Sequence, residues 1–333
     1  MKTGVVRRCF AAATCAAAVL LAGPMTAAPT VFPTGTTIYQ PDKTWNGFTV
    51  ISALGVPAVL VIDMDGHLVK RWDGFNLAAG GPARVLPGGF VIASQGTFPR
   101  HLESTALVAE DFPGKELWRF DHAEQITMDG KAQWSARQHH DWQRSDFPAG
   151  YYSPDYSPKP TGGTTLVLTH TTDTVPAIAD VPLEDDVLME LGAHGNRVWS
   201  WKVSDHVGEF GYDTRARAAI RRAGKRDGFD WFHMNSASYV GPNKWFDAGD
   251  KRFDPRNVIV SSRNSSVVAI VSRDTGHVVW RIGPDFSATP ELAAIGQVIG
   301  QHHVDFIPPG LPGAGDLMLF DNGGESGYGD PSP

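Results

Sequence analysis

Cysteine is nearly absent. Only Cys9 and Cys15 occur in 333 residues, and both lie within the first 28. Once that segment is removed, the chain can form no disulfide and offers no thiolate nucleophile or cysteine metal ligand. Basic excess is also lacking. Lys and Arg total 29 against 36 Asp and Glu, a formal charge of -7, which speaks against a nucleic-acid binder of the usual basic kind. The longest apolar stretch, Ala11 to Ala22, falls short of the roughly 20 residues that a membrane span requires. There is no glycine-rich dinucleotide fingerprint, no phosphate loop ending in GK and no GxSxG elbow. Acidic calcium-loop spacing is not met at Asp63-Met64-Asp65-Gly66 or at Asp247 to Asp254.

The amino terminus reads as an export signal. Lys2, Arg7 and Arg8 precede the apolar stretch, and the small residues Thr26, Ala27 and Ala28 follow it as a cleavage region. The expected division is a signal peptide over 1–28 and one domain over 29–333, secreted or periplasmic, with no transmembrane span after cleavage. Loss of three cations takes the formal charge to -10. Without disulfides, packing alone must hold the exported domain.

Glycine and proline together make up about 18% of the chain, which suits many short strands joined by turns. A pattern recurs in which an apolar run, a Gly turn and a second apolar run end on Trp. Its copies are VLVIDMDGHLVKRW to Trp72, TALVAEDFPGKELW to Trp118, DDVLMELGAHGNRVW to Trp199 and SSVVAIVSRDTGHVVW to Trp280. Apolar runs flanking a Gly turn are β-hairpins. A second hairpin precedes most copies: GPARVLPGGFVIASQG, then WFHMNSASYVG with NVIVSSRN, then HHVDFIPPG with GDLMLFDNGG. Two hairpins per unit give a four-stranded blade. The expected fold class is therefore all-β, a β-propeller with each Trp filling the wedge between blades. About four units are legible, so an incomplete ring truncated at the carboxyl end is expected. Insertions interrupt the repeat: Pro148 to Gly163, Asp205 to Gly228 with a short helix from Thr214 to Arg226, Pro242 to Pro255, and Pro284 to Gly300. Such insertions gather on one face of a ring and wall a site.

Histidines fall at one phase of this repeat. His139 and His140 open the third unit, His233 the fourth, and His302 with His303 the last. The innermost strand of each blade lines a propeller's channel, so residues at equal phase converge on one spot. Asp141, Asn235, Asp305, Arg263 and Asn322 lie nearby in sequence. Two chemistries suit the set. Histidines with Asp can hold a metal such as zinc, but the spacing matches no compact metal motif and Arg263 sits badly beside a cation. Alternatively, an imidazole acts as nucleophile while a second moves a proton, and Arg263 offers a donor fork to sulfate or phosphate oxygens. The second reading requires neither metal nor cofactor.

Several stretches resemble the bacterial arylsulfotransferases, in particular their exported branch. They are TGTTIYQPDKTWNGFT, VLVIDMDGHLVKRW, HHDWQR with GYYSP, DWFHMNSASYVGPNKWFDAGDKRF, SSRNSSVVAIVSRDTGHVVWRIGPDF and IGQHHVDFIPPGLPGAGDLMLFDNGG. The resemblance runs from about Pro33 to Gly329. It implies a six-bladed propeller that passes a sulfuryl group from an aryl sulfate donor to a phenolic acceptor, through a sulfated histidine and without a nucleotide sulfate donor. It further implies His302 as nucleophile with His303 as the alternative in the doubled pair. His233 and Arg263 would neutralise the sulfuryl oxygens, and His140 or His139 would assist proton transfer. Asn235, Asp141, Asn322 and Tyr151 are the expected substrate contacts. Two other functions compete: a non-catalytic secreted propeller that binds a small ligand, glycan or surface partner, and a metal-assisted hydrolase.

Overall fold

The computed structural model describes residues 38–52, 55–76, 81–98, 102–146, 158–225 and 228–323. The chain is all-β, its antiparallel sheets arranged as four propeller blades. The first blade holds β1 (Thr49–Ser52), β2 (Ala58–Ile62) and β3 (Leu68–Asp73). The second holds β4 (Arg84–Leu86), β5 (Phe90–Gln95), β6 (Ala106–Glu110) and β7 (Glu116–Phe120). A separate hairpin follows, β8 (Glu124–Met128) with β9 (Lys131–Ser135). The third blade is β10 (Gln138–Arg144), β11 (Thr165–Asp173), β12 (Leu183–Leu191) and β13 (Arg197–Lys202). Helix α1 (Thr214–Ala223) and strand β14 (Phe229–Asp230), which pairs parallel with β12, come next. After β15 (Met234–Tyr239) and α2 (Lys244–Asp247), the fourth blade is completed by β16 (Val258–Ser262), β17 (Val267–Val271) and β18 (Val278–Ile282). Helix α3 (Pro290–Ile295) leads to β19 (His302–Phe306) and β20 (Leu317–Phe320), a pair packed on the fourth blade.

Strand alternation explains how the blades stack. Val91 and Ala93 of β5 join Val59, Val61 and Trp72 in one core, while Phe90 and Ile92 join Trp142, Val167 and Met189 in the next. In the fourth blade Val258 and Val260 face the third, with Leu188, Trp201 and Trp231. Ile259, Val268 and Ile270 face Val304 and Phe306 of β19. Successive side chains point to opposite faces, so a blade covered on both sides needs a nearly unbroken apolar run, as in VVAIV. Each such buried side chain contributes about 1.5–3 kcal/mol.

All four Trp-terminated hairpins form, as do the expected hairpins that open the second blade, the fourth blade and the last pair. The wedge role of the tryptophans holds for Trp72 and Trp118, which are buried. In the third blade Trp199 is only partly buried, and Trp201 is the buried one, donating Nε1–H to the Gly276 carbonyl of the next blade at 2.7 Å. Helix α1 ends at Ala223, three residues short of the expected limit. Asp213 caps it by accepting from the Ala216 N–H, and Gly224 stops it. The β8–β9 hairpin and β14 were not legible in the repeat. Among the described residues no helix is long and apolar enough to cross a membrane.

Among the described residues the innermost strands β10, β15 and β19 each pair with one neighbouring strand, and β10 is bridged on its other side only by Gln138 to Ser104. Their other edges carry backbone N–H groups that need acceptors. Side chains of the preceding blade supply them. Asp141 Oδ2 accepts from Ala237 N at 3.0 Å, Gln143 Oε1 from Tyr239 N at 2.7 Å, and Ser236 Oγ from Val304 N at 3.1 Å. These bonds fix the inner strands against each other along their length, and the histidines sit at or just before the starts of those strands.

Candidate active site

Each inner strand begins with an irregularity. The register shifts between Gln138 and Trp142 in β10, between Met234 and Ser236 in β15, and between His302 and Asp305 in β19. His140, His233 and His303 have φ of 49°, 54° and 51°. A left-handed conformation costs a non-glycine residue of order 1–3 kcal/mol, and here it recurs on a histidine at the same phase of three inner strands.

His140 and His233 use that phase to face each other, with ring centroids 4.8 Å apart in an edge-on arrangement. The third ring is that of His302, 6.4 Å from His140, and not that of His303. His303 is half exposed, with Nε2 3.0 Å from Asp305 Oδ2. Equal phase therefore brings two histidines together, and the third comes from one position earlier. Arg263 is partly buried. Its backbone N–H donates to the His233 carbonyl at 3.0 Å, and its Nη1 donates to Asn264 Oδ1 at 3.1 Å.

The protons on these rings follow from their partners. His302 Nδ1 lies 2.9 Å from the Gly300 carbonyl oxygen, which can only accept, so Nδ1 carries the proton and Nε2 the lone pair. The Asn322 amide lies 2.9 Å from the same Nδ1. Burial, helped by the charges of His233 and Arg263, lowers the His302 pKa from its ordinary value, although the Gly300 carbonyl acts the other way. His233 presents Nδ1 to Asp230 Oδ2 at 2.5 Å, and its backbone N–H donates to Asp230 Oδ1 at 2.9 Å. His140 Nδ1 is 2.9 Å from His139 Nδ1. His139 Nε2 faces Asp186 Oδ1 at 3.2 Å, so in a neutral His139 the Nδ1 atom is the acceptor and His140 Nδ1 the donor. His140 Nε2 is left as a lone pair. Burial first, then the neighbouring His139, His233 and His170, push the His140 pKa well below the ordinary imidazole value. The site thus offers two imidazoles with a free Nε2 lone pair, His140 and His302, beside His233 and the Arg263 guanidinium.

The remaining expected residues divide. His139 is fully buried behind His140. Asp141 is buried and engaged with Arg84 Nη2 at 3.0 Å, Trp142 N at 2.8 Å and Ala237 N at 3.0 Å. Asn235 donates to the Gln301 carbonyl at 2.6 Å, the residue before His302, and its Oδ1 has no hydrogen-bond partner. Tyr151 lies outside the described residues. Its insertion leaves β10 at the end opposite His139 and His140, where Arg144 pairs with Thr165.

Behind the facing rings lies a buried ionic layer that the repeat did not reveal. Arg137 binds Glu103 through two bonds of 2.9 and 2.8 Å, Glu124 at 2.6 Å, Thr172 at 2.9 Å, and Glu184. His170 presents Nδ1 to Glu103 Oε1 at 3.0 Å and stacks on His139 with ring centroids 3.6 Å apart. Asp186 Oδ2 accepts from Met234 N at 3.0 Å. One signal could have found this layer: LEDDVLMEL places three consecutive acids in a largely buried strand, and buried charges of that kind require partners.

The arylsulfotransferase (ASST) family profile matches residues 138–332, a span that contains every histidine of the facing set and Arg263. No curated protein matches the chain. Among solved structures, a protein of unknown function from Bacteroides caccae shares 11% identity at a TM-score of 0.30, over 78% of each chain. Hsv2 from Kluyveromyces marxianus shares 9% at 0.25, over 68% of this chain and 60% of its own. Hsv2 from Kluyveromyces lactis shares 11% at 0.26, over 71% and 62%.

Proposed function

Because the chain belongs to the arylsulfotransferase family, we propose that it transfers a sulfuryl group from an aryl sulfate to a phenol through a sulfated His302. The observation that carries this reading is the trio His140, His233 and His302 at the blade ends, with Arg263 beside it. In the first half-reaction His302 Nε2 attacks sulfur. The N–S bond forms, the S–O bond to the aryl group breaks, and the phenolate departs. Arg263 and His233 hold the sulfuryl oxygens, and Arg263 neutralises their charge. In the second half, His140 Nε2 takes the proton of the acceptor phenol. The phenol oxygen attacks sulfur, the N–S bond breaks, and His302 is restored. Splitting the transfer in this way needs neither metal nor nucleotide.

Two features support His302 over His303. The Gly300 carbonyl fixes the His302 tautomer with Nε2 free, whereas Nε2 of His303 faces Asp305. The basic and apolar start of the chain supports action outside the cytoplasm, in the periplasm or as a secreted protein.

The test is intact mass after mixing the protein with excess 4-nitrophenyl sulfate, then peptide mapping. A gain of about 80 Da, one sulfuryl group, on the peptide holding His302 and His303 is expected, and His302→Ala should abolish it. A folded wild-type protein that releases no phenol and gains no mass would leave a binding propeller as the better reading.

A further inference from the structure

His170 is a buried titratable residue that the mechanism above does not use. Several charged or titratable groups face it. Glu103 lies before β6, Arg137 and His139 at the start of β10, Glu184 and Asp186 on β12, and Asp230 on β14. Glu124 reaches the same layer from β8 through Arg137 and through Thr171. The side chains of His139, His170 and Asp186 are all nine-tenths buried or more, and His139 Nε2, His170 Nε2 and Asp186 Oδ1 have no aligned hydrogen-bond partner.

Three convergent, unpartnered ligand atoms within 4.8 Å of one another invite a metal reading. The rings oppose it. His139 and His170 are stacked, 3.6 Å apart and 17° from parallel. An imidazole donates its lone pair in the ring plane, so one ion cannot lie in both planes when the planes are nearly parallel and displaced by that much.

A proton satisfies the same geometry. His170 Nδ1 faces Glu103 Oε1 at 3.0 Å, while Nε2 faces Asp186 Oδ1 at 3.5 Å and Asp230 Oδ2 at 3.7 Å. Carboxylate oxygens only accept, so Nδ1 carries hydrogen, and the two carboxylate charges near Nε2 favour a second hydrogen there. We infer that His170 is a fixed imidazolium that holds Asp186 and Asp230 together behind the facing histidines, and is thereby a positioning residue of the site. Asp230 in turn orients His233, and Asp186 faces His139, which orients His140. Asp186 also accepts from the N–H of Met234, the residue after His233. Without a cation between them, Asp186 and Asp230 would repel in a poorly solvated layer and both supports would part. Burial works against charge on His170, but Asp230, Asp186 and Glu103 outweigh it and hold the imidazole well above its ordinary range. Arg137 cannot replace it, since its donors are taken by Glu103, Glu124, Glu184 and Thr172.

The inference rests on the sulfuryl-transfer reading only for its catalytic consequence, so the protonation state is tested first, on the resting protein. In histidine-labelled protein, ring-nitrogen NMR at about pH 9, well above the ordinary imidazole value of about 6.5, should show one imidazolium. Glu103→Gln, which replaces the charged acceptor at Nδ1 with a neutral amide, should move that signal most and so assign it. A neutral His170 at that pH, or a stoichiometric metal ion by elemental analysis of the purified protein, would overturn the inference whatever the activity. Then His170→Gln should shift the ring signals of His139, His140 and His233, and lower kcat about 10–100-fold with KM for 4-nitrophenyl sulfate unchanged. A folded His170→Gln with unmoved ring signals and wild-type kcat would remove the positioning role. If His170→Gln does not fold, Asp230→Asn, which weakens the same contact from the edge, should show the same signature at His233. Should wild-type protein transfer no sulfuryl group, the NMR outcome still stands or falls alone.

Discussion

The Nδ1 atoms of His139 and His140 lie 2.9 Å apart with their rings at 88°, so these two neighbours share one proton between facing nitrogens. The pair is possible because His140 is left-handed, which turns its ring back toward that of the preceding residue. The consequence is a directional base: His139 accepts, His140 donates, and His140 Nε2 is free to take a proton.

In the proposed mechanism that arrangement separates the two half-reactions. Phenolate departure from 4-nitrophenyl sulfate needs no proton, whereas the acceptor phenol must lose one. His140→Asn should therefore preserve a burst of nitrophenol equal to the enzyme present and lower steady-state turnover by about 10²–10⁴-fold, the usual contribution of a positioned base. Rapid-mixing absorbance reads both. Loss of the burst with retained folding would instead put His140 in the sulfation step.

The pH dependence of the burst reports His302. This residue must be neutral to attack, and burial with His233 and Arg263 holds its pKa below the ordinary 6.5. The burst rate should be constant at neutral pH and fall on acidification, with a midpoint below 6.5. Arg263→Gln removes one of the charges that lower it, so the midpoint should move upward while KM for the sulfate ester rises. A wild-type midpoint above the ordinary value would argue against His302 as the free nucleophile.

The blades were legible because their cores lie on both faces. Runs such as VVAIV and AVLVI, each closed by a Gly turn and a Trp, leave little choice but stacked hairpins. The histidines were legible only to the nearest residue. Phase placed His139 or His140, and His302 or His303, but the choice depends on a bulge that reverses one φ per strand, and nothing in HHD or QHH marks which ring turns inward. The layer beneath was harder still. Glu103, Arg137, His170 and Asp230 come from four separate segments, and no local pattern joins a residue before β6 to one on β14. Trp201 took the wedge from Trp199 for a similar reason: WSW offers two aromatics on the same face, and only packing selects one.

Arg137 tests that layer through stability. Its guanidinium is 2% exposed and binds Glu103 and Glu184, both as deeply buried, along with Glu124. Arg137→Met keeps the bulk but strands two buried carboxylates, at a cost of about 3–5 kcal/mol. Glu103, held down to about 2 because His170 and Arg137 outweigh its burial, should rise in the variant. Chemical denaturation of wild type and variant at neutral pH measures the loss. A change below 1 kcal/mol or so would mean that the layer is better hydrated than its burial indicates.

Asp141 separates a substrate contact from a support between blades. Its carboxylate receives the Trp142 and Ala237 N–H groups and the Arg84 guanidinium, and its side chain is 6% exposed. Asp141→Ala leaves the Ala237 N–H on the unpaired edge of β15 without an acceptor and Arg84 without its counter-charge. Each stranded group costs about 1–3 kcal/mol, so the denaturation midpoint should fall clearly. Asn at this position keeps an acceptor for one N–H and should recover part of the loss. Because the inner strands meet where His140 and His233 face each other, kcat should drop modestly as that spacing loosens, while KM for 4-nitrophenyl sulfate holds. A tenfold rise in KM in a variant of wild-type stability would instead mark Asp141 as a substrate ligand, and would mean that β10 and β15 are held in register by Gln143 and Tyr239 alone.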